Sequence, residues 1–208
     1  MLAVKSRHPH GSIILGTGRQ PRFNEFWHAM ENLMVPGGSK LIWNQSYDVA
    51  WNRNQGLRDG YGDWAWFMDD DHTFNPDCLM KLLEHDVQVV GPVASRCKPP
   101  YEPIACTEAG PLTWNQLWGK GLMKAPPDTC LGIGGLLVRR KALDKVADPW
   151  FRVGQYTPDR QQEDTWFCNR LIQEGFTIHI DRDTVIGHTM SHTVIPKQTD
   201  DGWEIHLI

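Results

Sequence analysis

The amino-acid sequence predicts an α/β protein built on a mostly parallel central sheet flanked by helices. Three observations lead there. Short apolar runs alternate with stretches of helical periodicity between Ser12 and Val93. The helical stretch between two of these runs is long enough to cross over between parallel strands. The run Trp64-Ala65-Trp66-Phe67-Met68 is apolar throughout, as a strand buried on both faces requires. At 208 residues, 40% hydrophobic and 22% charged, the chain has room for one real core, so a single domain over 1–208 is expected.

Ser12-Ile13-Ile14-Leu15-Gly16-Thr17-Gly18 reads as a first strand ending in a glycine turn. Phe23, Trp27, Met30 and Leu33 then recur at helical spacing until Pro36-Gly37-Gly38 stops the helix. Lys40 to Trp43 forms a second short strand, and Asp48 to Arg58 a helix. After the apolar run comes Asn75-Pro76, a helix start with Leu79, Leu82 and Leu83 on one face. Val87 to Val93 returns to the sheet. Cys97 to Thr129 is rich in Pro and Gly without periodicity, which suggests loops covering a site. Leu131 to Val138 reads as one glycine-studded strand, followed by a short helix from Arg139 to Val146. Trp166, Phe167, Leu171 and Ile172 form the face of a later helix ending at Gly175. Thr177 to Ile180 and Asp183 to Ile186 read as strands.

The chemistry concentrates where strands end. The apolar run breaks into Asp69-Asp70-Asp71-His72. Ligands of open α/β sheets bind outside the carboxyl ends of the strands, and clustered carboxylates there repel one another unless a cation lies between them. Strand alternation turns Asp70 away from the faces of Asp69 and Asp71. Near the other end of the chain, Gly187-His188 closes a strand with an imidazole, so the two strand ends can converge on one metal. Glu163-Asp164 opens a helix, where acids also serve as caps.

The remaining composition narrows the partners. A net charge of −4 and a pI near 6.1 give no basic field for a phosphate backbone, which argues against nucleic acid as the main partner. Met1 to Ser12 lacks the apolar core of a signal peptide, and no stretch nears the roughly 18–20 apolar residues of a membrane span. Five cysteines without a C-x-x-C pair fit reduced, packed thiols, so a cytoplasmic protein is expected. Most of the ten tryptophans belong to the core, with Trp114 and Trp118 expected as an exposed pair suited to sugar stacking.

Taken together, these segments resemble the glycosyltransferases of the GT-A fold, especially the family-2-like nucleotide-sugar enzymes. Ala50-Trp51-Asn52-Arg53-Asn54-Gln55-Gly56-Leu57 followed by the acidic strand is similar to the family's Arg-Asn helix leading into its D-x-D strand. Gly134-Gly135-Leu136-Leu137-Val138-Arg139-Arg140 is similar to its glycine-rich acceptor-side strand, Glu163-Asp164 to the pair carrying its base, and Gly187-His188 to its late metal-binding histidine. The resemblance runs from about Ser12 to His188. It implies a nucleotide-binding part over about 12–95, an acceptor-side part over about 96–190 and a tail over 191–208.

The resemblance also implies roles. Asp69, Asp71 and His188 would hold Mn²⁺, or Mg²⁺ in its place. Thr17, Arg53, Asp69 and Gly134 would meet a nucleoside-diphosphate sugar. Asp164, or less directly Glu163, would deprotonate an acceptor hydroxyl on a glycan, glycolipid or other molecule in an inverting transfer. Asp48 is the nearest acid for a nucleobase. Three other functions share parts of the pattern: a nucleotidyltransferase, for which Gly16-Thr17-Gly18-Arg19 is a faint phosphate loop, a metal-dependent nucleotide-sugar hydrolase, and a non-catalytic carbohydrate-binding protein.

Overall fold

Every residue from Trp64 to Met68 is buried, and the alternation of their side chains divides the fold. Trp64, Trp66 and Met68 face one apolar layer with Phe26, Met30, Leu79 and Leu82. Ala65 and Phe67 face a second with Leu57, Phe151, Phe167 and Leu171. A strand covered on both sides must be apolar at every position, which explains the unbroken run.

The computed structural model describes residues 1–18, 23–153, 162–190 and 193–207. In chain order the first half contains β1 (Leu2–Val4), β2 (Ser12–Thr17), α1 (Asn24–Asn32), β3 (Met34–Pro36), β4 (Lys40–Gln45), α2 (Val49–Asp59), β5 (Trp64–Asp69), β6 (His72–Phe74), α3 (Cys78–Glu84) and β7 (Val89–Val93). The second half contains β8 (Ala105–Thr107), β9 (Gly110–Pro111), β10 (Leu122–Lys124), β11 (Cys130–Leu131), β12 (Leu137–Arg139), α4 (Arg140–Leu143), α5 (Glu163–Gln173), β13 (Ile178–Thr189), β14 (Thr193–Thr199) and β15 (Gly202–Leu207).

The main sheet runs β15-β14-β13-β7-β12-β5-β2-β4, with β6 and β10 also pairing with β13. Helices α1 and α3 contribute to one apolar layer, α2 and α5 to the other. The sheet is mixed, not mostly parallel. β2 is parallel to β4 and β5, and β7 to β13, but β12 lies between β5 and β7 antiparallel to both. The cause is the glycine run, expected as one strand. It breaks into β11, which joins a small sheet with β8 and β9, and β12 in the main sheet. Gly135 sits in the turn with φ +93°, and a Cβ there would lie 2.7 Å from Pro92, so the turn closes against β7 only with glycine.

Two other segments also differ from expectation. The two late strands are one long β13 with an irregularity between Asp181 and Val185. Within the segment expected as a tail, Thr193–Thr199 and Gly202–Leu207 form the β14–β15 hairpin, which extends the sheet. Trp114 is packed against Trp203 at 5.6 Å between ring centroids, leaving only Trp118 of the expected pair exposed. Among the described residues, no helix is long and apolar enough to cross a membrane.

Candidate active site

Three consecutive polar residues of α2 are buried: Asn52, Arg53 and Asn54. Buried polar groups are tolerated when their hydrogen bonds are made, and each of these joins two parts of the fold. Asn52 Nδ2 donates to the carbonyls of Thr17 at 3.1 Å and Ser46 at 3.0 Å, fixing the loops after β2 and β4. Asn54 donates to the Phe151 carbonyl at 2.8 Å and accepts from the Phe151 amide at 3.0 Å. Arg53 donates from Nη2 to both Asp69 oxygens, at 3.0 and 3.1 Å, and from Nη1 to Glu163 Oε1 at 2.8 Å. One guanidinium thus connects the end of β5 to the start of α5, using the fork geometry that distinguishes Arg from Lys. Burial alone would lower its pKa, but Asp69 and Glu163 outweigh burial and raise it. Gly56 lets α2 approach the sheet, since a Cβ there would fall 2.3 Å from Ile14.

Beyond Asp69 the chain turns, and β6 begins at His72 in register with His188 of β13. The two imidazoles stack with centroids 4.6 Å apart. Asp71 lies between strand end and imidazoles, with Oδ1 3.0 Å from His72 Nδ1 and Oδ2 3.6 Å from His188 Nε2. Burial pushes the Asp71 carboxyl up, but the histidines outweigh it and hold it well below the usual carboxylate range. For His188, burial acts downward and Asp71 raises the pKa overall. His188 Nδ1 lies 3.1 Å from the Ser95 carbonyl; donation there leaves Nε2 as the free lone pair, an arrangement typical of histidines that bind metals.

Asp71, His72 and His188 each offer a ligand atom within 4.8 Å of the others. His72 is not among the ligands expected from sequence; a strand continued past Asp71 would set it on the opposite face. The turn between β5 and β6 removes that alternation. His72 is 2% exposed, and neither of its ring nitrogens has a hydrogen-bond partner of good geometry among the described residues. A buried imidazole whose Nδ1 faces the Asp71 carboxylate and whose Nε2 is left over suits a metal ligand. Asp69 lies beside this group, bound to Arg53. Gly134 closes over both, since a Cβ would fall 2.5 Å from His72 Cε1 and 3.1 Å from Asp69 Oδ2.

Two cavities flank this cluster. One of about 390 Å³ is lined by Thr17, Ser46, Tyr47, Asn52, Arg53, Asp69, Asp71 and Glu163. Thr17 is itself buried, and its hydroxyl accepts from the Trp43 indole at 2.9 Å. Asp48 caps α2 by accepting from the Trp51 amide at 2.9 Å. The other cavity, about 340 Å³, is lined by Arg96, Cys106, Cys130, Asp164, Thr165 and His188, among others. Burial raises the Asp164 pKa, and the neighbouring Glu163 charge adds to it. Arg19 of the faint phosphate loop lies outside the described residues.

Residues 27–146, more than half of the chain, match the sequence model of glycosyl transferase family 2. The chain belongs to that family. Glycosyl transfer is therefore its general activity, and family 2 enzymes generally use nucleotide-sugar donors and a divalent metal. The glycosyl transferase is also similar in fold to a solved structure entitled "Crystal Structure of A197 from STIV", with a TM-score of 0.57 and 12% identity. That match covers 88% of the present chain and 89% of the other. No curated protein sequence matches the chain.

Proposed function

We propose that this glycosyl transferase moves a sugar from a nucleoside-diphosphate sugar to an acceptor hydroxyl, with inversion, and depends on a divalent cation. The observation that carries this reading is that two cavities reach the same cluster, one at Asp71 and the other at His188. Asp71 lines the cavity on the Arg53 side and His188 the cavity on the Asp164 side. Donor and acceptor held in these cavities would meet beside the cluster.

Asp71, His72 and His188 would hold the cation, with Asp69 close by; one carboxylate and two imidazoles suit Mn²⁺, and Mg²⁺ less well. When bound, it would neutralise charge on the leaving diphosphate. Arg53 holds Asp69 and Glu163 in place through its hydrogen bonds. With Glu163 engaged by Arg53, Asp164 is the base for the acceptor proton, and its raised pKa makes it a stronger proton acceptor than an ordinary carboxylate. Thr17 lines the donor side and Gly134 packs on Asp69 and His72 beside it, while the acceptor, a glycan, glycolipid or other hydroxyl compound, would occupy the Asp164 cavity. The molecule is read as one catalytic domain over 1–208 working in the cytoplasm.

The test is turnover of a panel of nucleotide sugars with Mn²⁺, with and without acceptors. Transfer only with acceptor, giving a product of opposite anomeric configuration, supports the reading. Release of free sugar at the same rate without acceptor would assign the chain to hydrolysis instead, and nucleotide release with retained configuration would remove the inverting label.

A further inference from the structure

Three of the five cysteines line the Asp164 cavity, and a fourth packs behind one of them. Cys97, Cys106 and Cys130 line it, and the thiol of buried Cys168 donates to the carbonyl of Leu131, next to Cys130, at 3.6 Å. Cys106 and Cys130 are direct partners in the antiparallel ladder of β8 and β11. Directly opposed residues in such a ladder have Cα atoms about 4.5–5.5 Å apart, inside the roughly 4.4–6.8 Å that a disulfide spans. The Cys130 sulfur also lies 3.5 Å from Asn169 Oδ1 and 4.0 Å from the Thr165 carbonyl. Both belong to α5, whose first turn carries Asp164. Packing as small apolar side chains explains buried thiols one at a time. It does not explain two facing thiols opening onto one cavity.

We propose that Cys106 and Cys130 form a thiol–disulfide exchange site in the wall of this cavity, taking small disulfides as co-reactant and closing to a cross-strand bridge that lowers glycosyl transfer. The effect on transfer rests on the acceptor reading of the cavity; the exchange does not. The Cys130 thiolate attacks one sulfur of a disulfide RS–SR, whose S–S bond breaks as RS⁻ leaves. The Cys106 thiolate then attacks the Cys130 sulfur of the mixed disulfide and expels the second RS⁻. Two protein thiols are oxidised, one small disulfide is reduced to two thiols, and the two released protons go to the leaving thiolates. A hydrogen bond from Cys168 holds the Cys130 pKa below the ordinary thiol value despite burial, which favours Cys130 as the attacking group. Bridging removes the Cys130 S–H from its α5 acceptors and stiffens the cavity wall next to Asp164.

The experiment treats the full chain with bis(2-hydroxyethyl) disulfide, blocks remaining thiols with iodoacetamide and maps peptides by mass spectrometry. A Cys106–Cys130 link that forms first, that dithiothreitol reverses, and whose extent matches the loss of transfer is the expected result. Mn²⁺ binding by calorimetry should be unchanged. Cys106→Ser and Cys106→Ala should both stop at the mixed disulfide on Cys130. No link, or a link made through Cys97 or Cys168 instead, would overturn the site, and a full link with undiminished transfer would overturn the control. Absence of transfer by the reduced chain counts against the proposed function alone, because the peptide map still decides the exchange site.

Discussion

His72 stacks on His188 across the β6–β13 ladder, their ring centroids 4.6 Å apart and their planes inclined by 23°. The register of the ladder makes them partners, and the Asp71 carboxylate faces both. Two adjacent imidazoles of this kind repel when protonated and share a cation well when neutral.

His72→Ala should therefore weaken Mn²⁺ binding by at least about 100-fold, the upper end of what losing a mere supporting contact costs. The fold should survive. Calorimetry with Mn²⁺ measures it, and wild-type affinity in the variant would remove His72 from the ligand set. Asp71→Ala is expected to be at least as severe and to abolish Mn²⁺-dependent binding of a nucleoside diphosphate.

Arg53→Lys keeps the charge but cannot reach Asp69 and Glu163 together. A charge-assisted hydrogen bond contributes about 1.5–3 kcal/mol, and a chain of this size loses roughly 2–4 °C of melting temperature per kcal/mol. Thermal unfolding should fall by several degrees and transfer should fall with it. An unchanged melting temperature with weakened diphosphate binding would mean that Arg53 serves the nucleotide directly and not the joint between β5 and α5.

Asp164→Asn should reduce transfer by roughly 10²- to 10⁴-fold, the usual worth of a general base. Stability should move the other way. The folded-state pKa of Asp164 is raised by burial, so its contribution to stability is full below the unfolded carboxylate pKa and is lost as pH rises through the folded value. Asn does not titrate. The variant should match the wild type in acid and become the more stable of the two above that window, as measured by urea unfolding at several pH values. Equal stability at all pH values, or retained transfer, contradicts the assignment.

Gly134→Ala places a methyl 2.5 Å from His72 Cε1 and 3.0 Å from His72 Nδ1. His72 must move. Overpacking of this kind costs about 1–3 kcal/mol, and Mn²⁺ affinity should drop while Cys130 and Asp164 keep their places. Unchanged metal affinity would show that the imidazole position is not set by this contact.

Much of the site could be read along the chain, because its parts sit where strands end. Asp69 ends β5, Asp71 lies in the turn that follows and His188 stands next to last in β13, so an apolar run stopping at polar groups marks the place of all three. The antiparallel course of β12 was not legible. Leu131 to Val138 reads as one strand whether or not a turn at Gly135 divides it, since periodicity carries no direction. His72 was visible beside the acids, but its alignment with His188 depends on pairing between distant segments, which no local pattern contains. The roles of Asn52 and Asn54 were hidden for a similar reason. Their partners are backbone carbonyls and amides, which every residue possesses.

The sequence of three joints on α2 has a consequence for how this chain tolerates change in length. Each residue inserted into a helix turns everything beyond it by about 100°. One extra residue between Asp48 and Asn52 would swing Asn52, Arg53 and Asn54 off their targets together, detaching the loops after β2 and β4, the β5–α5 joint and the Phe151 backbone in a single event. The same insertion after Asp59 would leave all three engaged. Length variation in this helix is therefore confined to its far end, and a homologue with a shifted α2 must have rebuilt all three joints at once.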